Sequence, residues 1–461
     1  MAGPDEEGFY RHSKSPPVIQ IAPFRPLRYN PREISFISRV VAPPYDLLSE
    51  TDAEELRERD PHNIVRLTLS KDSRHERTEH AYHQAAETLT RWREENVLIR
   101  EPEHAIYLCE ESFALGGTDY VRRGFLSTTL LEDFGSGRIL PHEHTTPGPI
   151  HDRLQLMEAC RANLSPVFGI FSDTDGQIDR RLERLGDDSP LYEFCSPEDV
   201  CYRVWRIAEP GEVRDLAGLL RNELLLIADG HHRYETAVAY RDKHRSVEGP
   251  PGSAPEDFLL TFCVSAHNPG LCVLPTHRLV RAEAAFDPEW LARSMANRYN
   301  VEDLHVGSPE QLEEIVTSWQ PEESIIGCYM AGNRMVLIRP GEEEFLAPES
   351  VPGPPVLRKL PVTVLHHNIL RPFFDIPVEV EKAGERLEFT VDPDRLYWAV
   401  EGGRFDAAFL LPPISPATLA GVARSGHRMP PKTTWFYPKI PSGLVLYPFE
   451  NGENLPRLAH D

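Results

Sequence analysis

The sequence has no apolar run approaching the ~20 residues that a membrane-spanning helix needs, and its first stretch, MAGPDEEGFYRHSKSPP, lacks the apolar core of a secretory signal. A soluble cytoplasmic protein with no membrane partner is the expectation. Positive charge is scarce as well. The 49 Lys and Arg stand against 72 Asp and Glu, a formal net charge of −23, which repels a phosphate backbone and argues against nucleic acid as a partner. Cysteine is sparse and unpatterned: Cys109, Cys160, Cys195, Cys201, Cys263, Cys272 and Cys328 form no CxxC pair and no regular framework. Reduced, mostly buried thiols are therefore expected. Internal repeats and long low-complexity segments are also missing.

What is present is length, proline and two hydrophobic periods. A chain of 461 residues exceeds the usual single domain. It is divided here into an N-terminal extension (1–30), a core (31–300) and a C-terminal α+β lobe (301–461). The 43 prolines fall mainly in connections and suit a loop-rich α+β fold. Residues 63–69, NIVRLTL, alternate like a strand, whereas 78–98 carry Tyr82, Ala85, Ala86, Leu89 and Trp92 at helical spacing. Residues 105–115 and 120–131 read as one β-hairpin, and 324–330 and 334–340 as another. Residues 246–257 read as a loop and 347–357 as a connection between lobes.

The most informative stretch is LLLIADGHHRYETAVAY, residues 224–240. Leu224 to Ala228 is the apolar run of a strand covered on both faces, and Tyr234, Ala237 and Val238 recur at helical spacing. Asp229 is suited to cap the helix, Gly230 allows close approach of a ligand, and His231, His232 and Arg233 occupy the first turn. Open N–H groups, the positive end of the helix dipole and a guanidinium attract a phosphate or carboxylate there. An ordinary capped helix with solvated histidines is the competing reading.

ADGHHRYETA resembles the signature of a large bacterial and archaeal family catalogued as a domain of unknown function, number 1015. Further blocks agree with it: VVAPPYDLLS (40–49), NIVRLTLS (63–70), residues 139–169 around PHEHTTPGPIHDR, PGLCVLPTHRLV (269–280), VLHHNIL (364–370) and MPPKTTWFYPKIPSGLV (429–445). The strand–DGHHR–helix unit is also similar to the nucleotide-binding box of the ParB/sulfiredoxin superfamily, in which a GxxR turn takes nucleotide phosphates. Gly230 and Arg233 match it. That resemblance implies an α+β fold, with a mixed-sheet ParB/sulfiredoxin-like nucleotide-binding core elaborated by additional hairpins and helices. Sulfiredoxins need a cysteine where His231 stands, and the partition proteins carry a DNA-binding module that this acidic chain does not suggest. The free-serine kinases remain as the nearest analogy.

The resemblance thus implies an ATP- or ADP-using kinase, with Mg²⁺, acting on the hydroxyl of a serine-like amino acid or related metabolite. Phosphoryl transfer needs a phosphate cradle, a proton acceptor and cations. Asp229, Gly230, His231, His232, Arg233 and Thr145 are the candidate nucleotide ligands. Glu143 is the first candidate base, with His142 and His144 beside it. Asp46 in APPYD competes, standing early in the chain as the catalytic carboxylate of the serine kinases does. Arg153, His277, Arg278 and Lys432 are candidates for an anionic substrate, and Lys439 reads more readily as a solvated strand residue. A nucleotide-binding switch or regulatory protein that transfers nothing, and a metal-dependent hydrolase using the histidine-rich loop with zinc on His142, His144 and His151, are the alternatives. The oligomeric state is left open.

Overall fold

The computed structural model describes residues 19–69, 79–186, 189–221, 223–245, 250–283, 286–321, 323–339, 353–377, 386–450, 452–453 and 455–456. The architecture is α+β. Nine strands form one mixed sheet: β1 (Ile21–Ala22), β2 (Ile106–Leu115), β3 (Thr118–Leu130), β4 (Ile139–Leu140), β5 (Val167–Phe171), β6 (Tyr192–Cys195), β7 (Cys201–Ile207), β8 (Leu225–Asp229) and β9 (Phe258–Ser265). Their order is β4-β8-β5-β9-β3-β2-β7-β6, with β1 added to β3. β8 runs parallel to β4, and β9 parallel to β5, while the other pairs are antiparallel. The expected first hairpin is β2–β3.

A second sheet is antiparallel throughout. It contains β10 (His277–Val280), β11 (Asn300–His305), β12 (Ile326–Met330), β13 (Arg334–Arg339), β14 (Leu387–Thr390) and β15 (Ala407–Leu410), ordered β11-β13-β12-β15-β10-β14. The second expected hairpin is β12–β13. Alternation along these strands divides the burial between two cores. Cys328, Met330, Val336, Ile338, Ala407 and Phe409 join the main core, whereas Tyr329, Met335, Leu337, Ala408 and Leu410 join a smaller one with helices Pro309–Thr317 and Pro393–Glu401. The last part of the chain then returns to the first sheet's side of the molecule. Thr434–Tyr437 pairs with Cys272–Pro275, and Tyr447–Pro448 with Ala162–Asn163.

Four helices matter for the site: α1 (Glu50–Arg59), α2 (Glu79–Glu94), α3 (Pro147–Cys160) and α4 (His231–His244). α1 begins as its sequence suggests, with the Ser49 hydroxyl accepting from the Asp52 N–H at 3.1 Å and Asp52 Oδ2 accepting from the Ser49 N–H at 2.8 Å. α2 buries Tyr82, Ala85, Leu89 and Trp92. α3 starts at Pro147, because proline is favoured in a helix's first turn.

Two expectations are overturned. Residues 65–68 form a short helix, not a strand. Asn63 is the cause: its side-chain oxygen accepts from the Val65 N–H at 3.0 Å and starts the turn, while its amide donates to the carbonyls of Arg39 and Val41. Cys195 and Cys201 are disulfide-bonded, not thiols. They lie directly opposite each other on β6 and β7, a juxtaposition created by strand register and invisible in the spacing. The other five cysteines are free, and four of these are buried. Residues 246–249 of the expected loop and 347–352 of the expected connection lie outside the described residues. Among the described residues no helix is long and apolar enough to cross a membrane.

Candidate active site

The apolar residues Leu225 to Ala228 bury β8 between two neighbours, and an irregularity in its pairing with β5 between Ile227 and Asp229 re-aims the strand's end. Gly230 follows at φ +90°, and a Cβ there would stand 2.9 Å from Arg233 Nε. Glycine is required on both counts. The cap of α4 is Gly230 itself, with no side-chain cap bond, so the expected capping role of Asp229 is corrected. The Asp229 carboxylate is engaged elsewhere. Oδ2 accepts from Arg233 Nη2 at 2.6 Å and Oδ1 from Lys439 Nζ at 2.7 Å. Arg233, itself buried, also donates to the Pro166 carbonyl. Burial opposes ionisation of Asp229, but the charges of Lys439 and Arg233 prevail and hold it well below the usual carboxylate range. The N–H groups of His231, His232 and Arg233, in the first turn of α4, have no preceding helical carbonyl to bond.

Opposite this turn lies the segment 142–146. His142 is wholly buried. Its Nδ1 donates to the Ile227 carbonyl at 2.7 Å, and its Nε2 is 3.1 Å from the Thr434 hydroxyl. Burial lowers its pKa to about 4. Its ring meets that of His231 edge-on, 4.6 Å between centroids, and His231 Nε2 accepts from the His142 N–H at 3.3 Å. Burial keeps His231 neutral as well. His232 Nε2 accepts from the Thr146 N–H at 3.0 Å, and burial lowers its pKa while Glu143 works against the shift. The Thr145 hydroxyl donates to Glu235 at 2.5 Å.

Glu143 is half-buried and points away from His142, as alternation requires. Its Oε1 accepts from the Lys432 N–H at 3.0 Å. Burial raises its pKa, the Lys432 charge pulling the other way. Lys432 feels burial too, but Asp46, Glu143 and Asp229 together hold its pKa above the usual lysine value. Asp46 and Lys432 are both exposed, and the charge of Asp46 acts on the lysine together with those of Glu143 and Asp229. Arg278 is fully buried behind it, donating to the Lys432 carbonyl at 3.1 Å, and burial lowers its pKa to about 9.

The structure therefore gathers Asp46, Glu143, Asp229, His232, Arg278 and Lys432 from segments far apart in sequence. Arg153 is packed more deeply. It donates to the Thr68 carbonyl at 2.9 Å, lies over the Tyr45 ring at 4.1 Å, and shares a small cavity of about 40 Å³ with Arg233. His277 faces the other way along β10 and accepts from the Leu411 N–H at 3.2 Å. His144 is exposed. Among the described residues no three His, Cys, Asp or Glu side chains form a group able to hold a metal ion, and His142, His144 and His151 are not brought together as one. Lys439, read from sequence as a solvated residue, is instead a partner of Asp229. With Trp435 and Tyr437 of the strand Thr434–Tyr437, Lys439 lines one cavity.

No curated protein matches the chain. The sequence model of a family described as a protein of unknown function (DUF1015) matches residues 21–363. Among solved structures, the chain is similar to a conserved hypothetical protein from Pyrococcus furiosus, with 15% identity and a TM-score of 0.32, over 67% of this chain and 91% of that one. It is similar to a free serine kinase in complex with AMP, with 13% identity and a TM-score of 0.31, over 67% and 89%. It is also similar to SbnI with a C-terminal truncation from Staphylococcus aureus, with 10% identity and a TM-score of 0.33, over 69% and 86%.

Proposed function

The chain belongs to the DUF1015 family, and from that premise we propose that it is a nucleotide-dependent phosphotransferase acting on the hydroxyl of a serine-like amino acid or related small metabolite. The observation that carries the reading is Glu143, a half-buried carboxylate of raised pKa fixed by the Lys432 N–H beside the open first turn of α4. Phosphoryl transfer asks for a proton acceptor, a cation and a phosphate cradle, and Glu143, Lys432 and the α4 turn are suited to those roles.

In this reading the α4 N–H groups bind the phosphates of ATP or ADP, with Arg233 and Lys439 supplying charge from behind through Asp229. Glu143 takes the proton of the acceptor hydroxyl as its oxygen bonds to the terminal phosphorus and the nucleotide leaves. Lys432 offsets charge on the transferring group. Mg²⁺ takes one or two carboxylates together with phosphate oxygens and water. The exposed carboxylate of Asp46 fits that requirement and would hold the ion, which neutralises phosphate charge when bound.

The test is incubation with ATP or ADP, Mg²⁺ and a panel of hydroxy amino acids, read by mass spectrometry. A phosphorylated acceptor is expected. No product across the panel would sink the assignment. One observation favours a second reading, a nucleotide-binding switch. The Arg233 guanidinium already holds Asp229 and the Pro166 carbonyl, so a phosphate that recruited it would have to rearrange this network. Nucleotide that raises the melting temperature without yielding product would select the switch.

A further inference from the structure

A cavity of about 420 Å³ lies between the segment before α1, the turn of the β6–β7 hairpin and the strand Thr434–Tyr437 with the residues just after it. Its walls include Leu47, Phe194, Tyr202, Trp435 and Tyr437, a predominantly aromatic and apolar surface. The charged groups are unevenly placed. Asp52, Glu55 and Glu198 are exposed and Arg59 is half-buried beside them, whereas Lys439 is largely buried and stretches from the cavity wall to Asp229, its ammonium 4.7 Å from the centre of the Trp435 ring. Lys439 thus joins this cavity to the turn before α4.

We propose that the cavity receives the base and ribose of the nucleotide whose phosphates lie at the α4 turn. The inference rests on the phosphate-binding reading of that turn. Three features point to this occupant. The volume is within the range of pockets that enclose small ligands. Aromatic rings offer stacking faces to a flat heterocycle and do so without regard to its sequence of donors and acceptors. The charge layout gives direction: at the rim three exposed carboxylates outnumber Arg59 and repel phosphate, so the anionic end points inward toward Lys439. The Cys195–Cys201 disulfide ties the base of the hairpin turn that supplies Ser196, Pro197 and Glu198, holding this wall in place before the ligand arrives.

The test compares ATP, inorganic tripolyphosphate and adenosine by calorimetry on the full chain, its Ser38→Trp variant and its Trp435→Leu variant. Ser38 is a half-buried lining residue, so a tryptophan there fills the space, whereas Trp435→Leu removes a stacking face. ATP is expected to bind the unaltered chain at least tenfold more tightly than tripolyphosphate. Each variant that retains its circular dichroism spectrum should lose that margin and keep its tripolyphosphate affinity. ATP binding no tighter than tripolyphosphate, or unchanged in a folded variant, would overturn the cavity's role and leave the phosphate reading intact. Adenosine that binds the unaltered chain but not Ser38→Trp, with tripolyphosphate failing to bind, would uphold the cavity while the phosphate reading fails. Binding of none of the three would overturn both.

Discussion

Glu143 and Asp229 stand near each other, yet their surroundings push their acidities in opposite directions. Glu143 is held above the ordinary carboxylate value by burial, against Lys432. A base must be ionised to act, so turnover is expected to rise with pH through an acid limb lying above the ~4.3 of a free glutamate. Glu143→Gln should cut turnover by about a hundredfold or more while calorimetry finds nucleotide affinity little changed. If binding fell with turnover, the residue would belong to the cradle and not to the chemistry. Asp229 is held low by Lys439 and Arg233. Its stabilisation is therefore present above the unfolded value of ~3.9 and lost as pH falls through and below it. Asp229→Asn strands two cations in a largely buried place and should destabilise by about 3 kcal/mol at neutral pH in urea titrations. The variant should also show a shallower loss of stability below about pH 4 than the unaltered chain.

The segment carrying Lys439, just after the strand Thr434–Tyr437, is itself anchored by a buried charge. Arg122, wholly buried on β3, pairs with Glu111 on β2 at 2.5 Å, donates to the Tyr437 and Pro438 carbonyls at 3.1 and 2.6 Å, and lies over the rings of Phe168 and Phe262. Arg122→Met leaves Glu111 buried without its cation and should cost about 3–5 kcal/mol. Adding Glu111→Leu should restore most of that loss in the same denaturation experiment, because the desolvated charge is gone. Both residues read as ordinary polar positions of an alternating hairpin, and nothing local marked them as a pair reaching a segment more than three hundred residues away. The elements that were legible are those whose period and caps act locally: α1 with its capping box, α2 with its apolar stripe, both hairpins, and the β8–α4 unit. Residues 63–69 were misread because Asn63 obeys partners at Arg39 and Val41. Lys439 was misjudged because only Asp229 gives it a purpose.

At the scale of the whole chain, the main core draws on both sheets and on the returning segment. Phe436, Leu444, Val445, Leu446 and Tyr447 are all buried in it. A chain ending at Ser425 should therefore lose its single cooperative melting transition in circular dichroism, where a self-sufficient first sheet would keep one. The parts of the proposed site, DGHHR, HEHT and Lys432, could each be picked out in the sequence as candidates, while the contacts between them could not, since these depend on the path of the chain. The span from Asp229 to Lys439 is 210 residues. At a synthesis rate of about 5–20 residues per second, a ribosome needs roughly 10–40 s to travel it. Throughout that interval the nascent polypeptide holds the turn before α4 without the lysine that pairs with Asp229 and without the wall on which Trp435 sits. On the proposed function, products of premature termination are expected to be inert rather than half-active and unable to sequester the ligand from finished molecules.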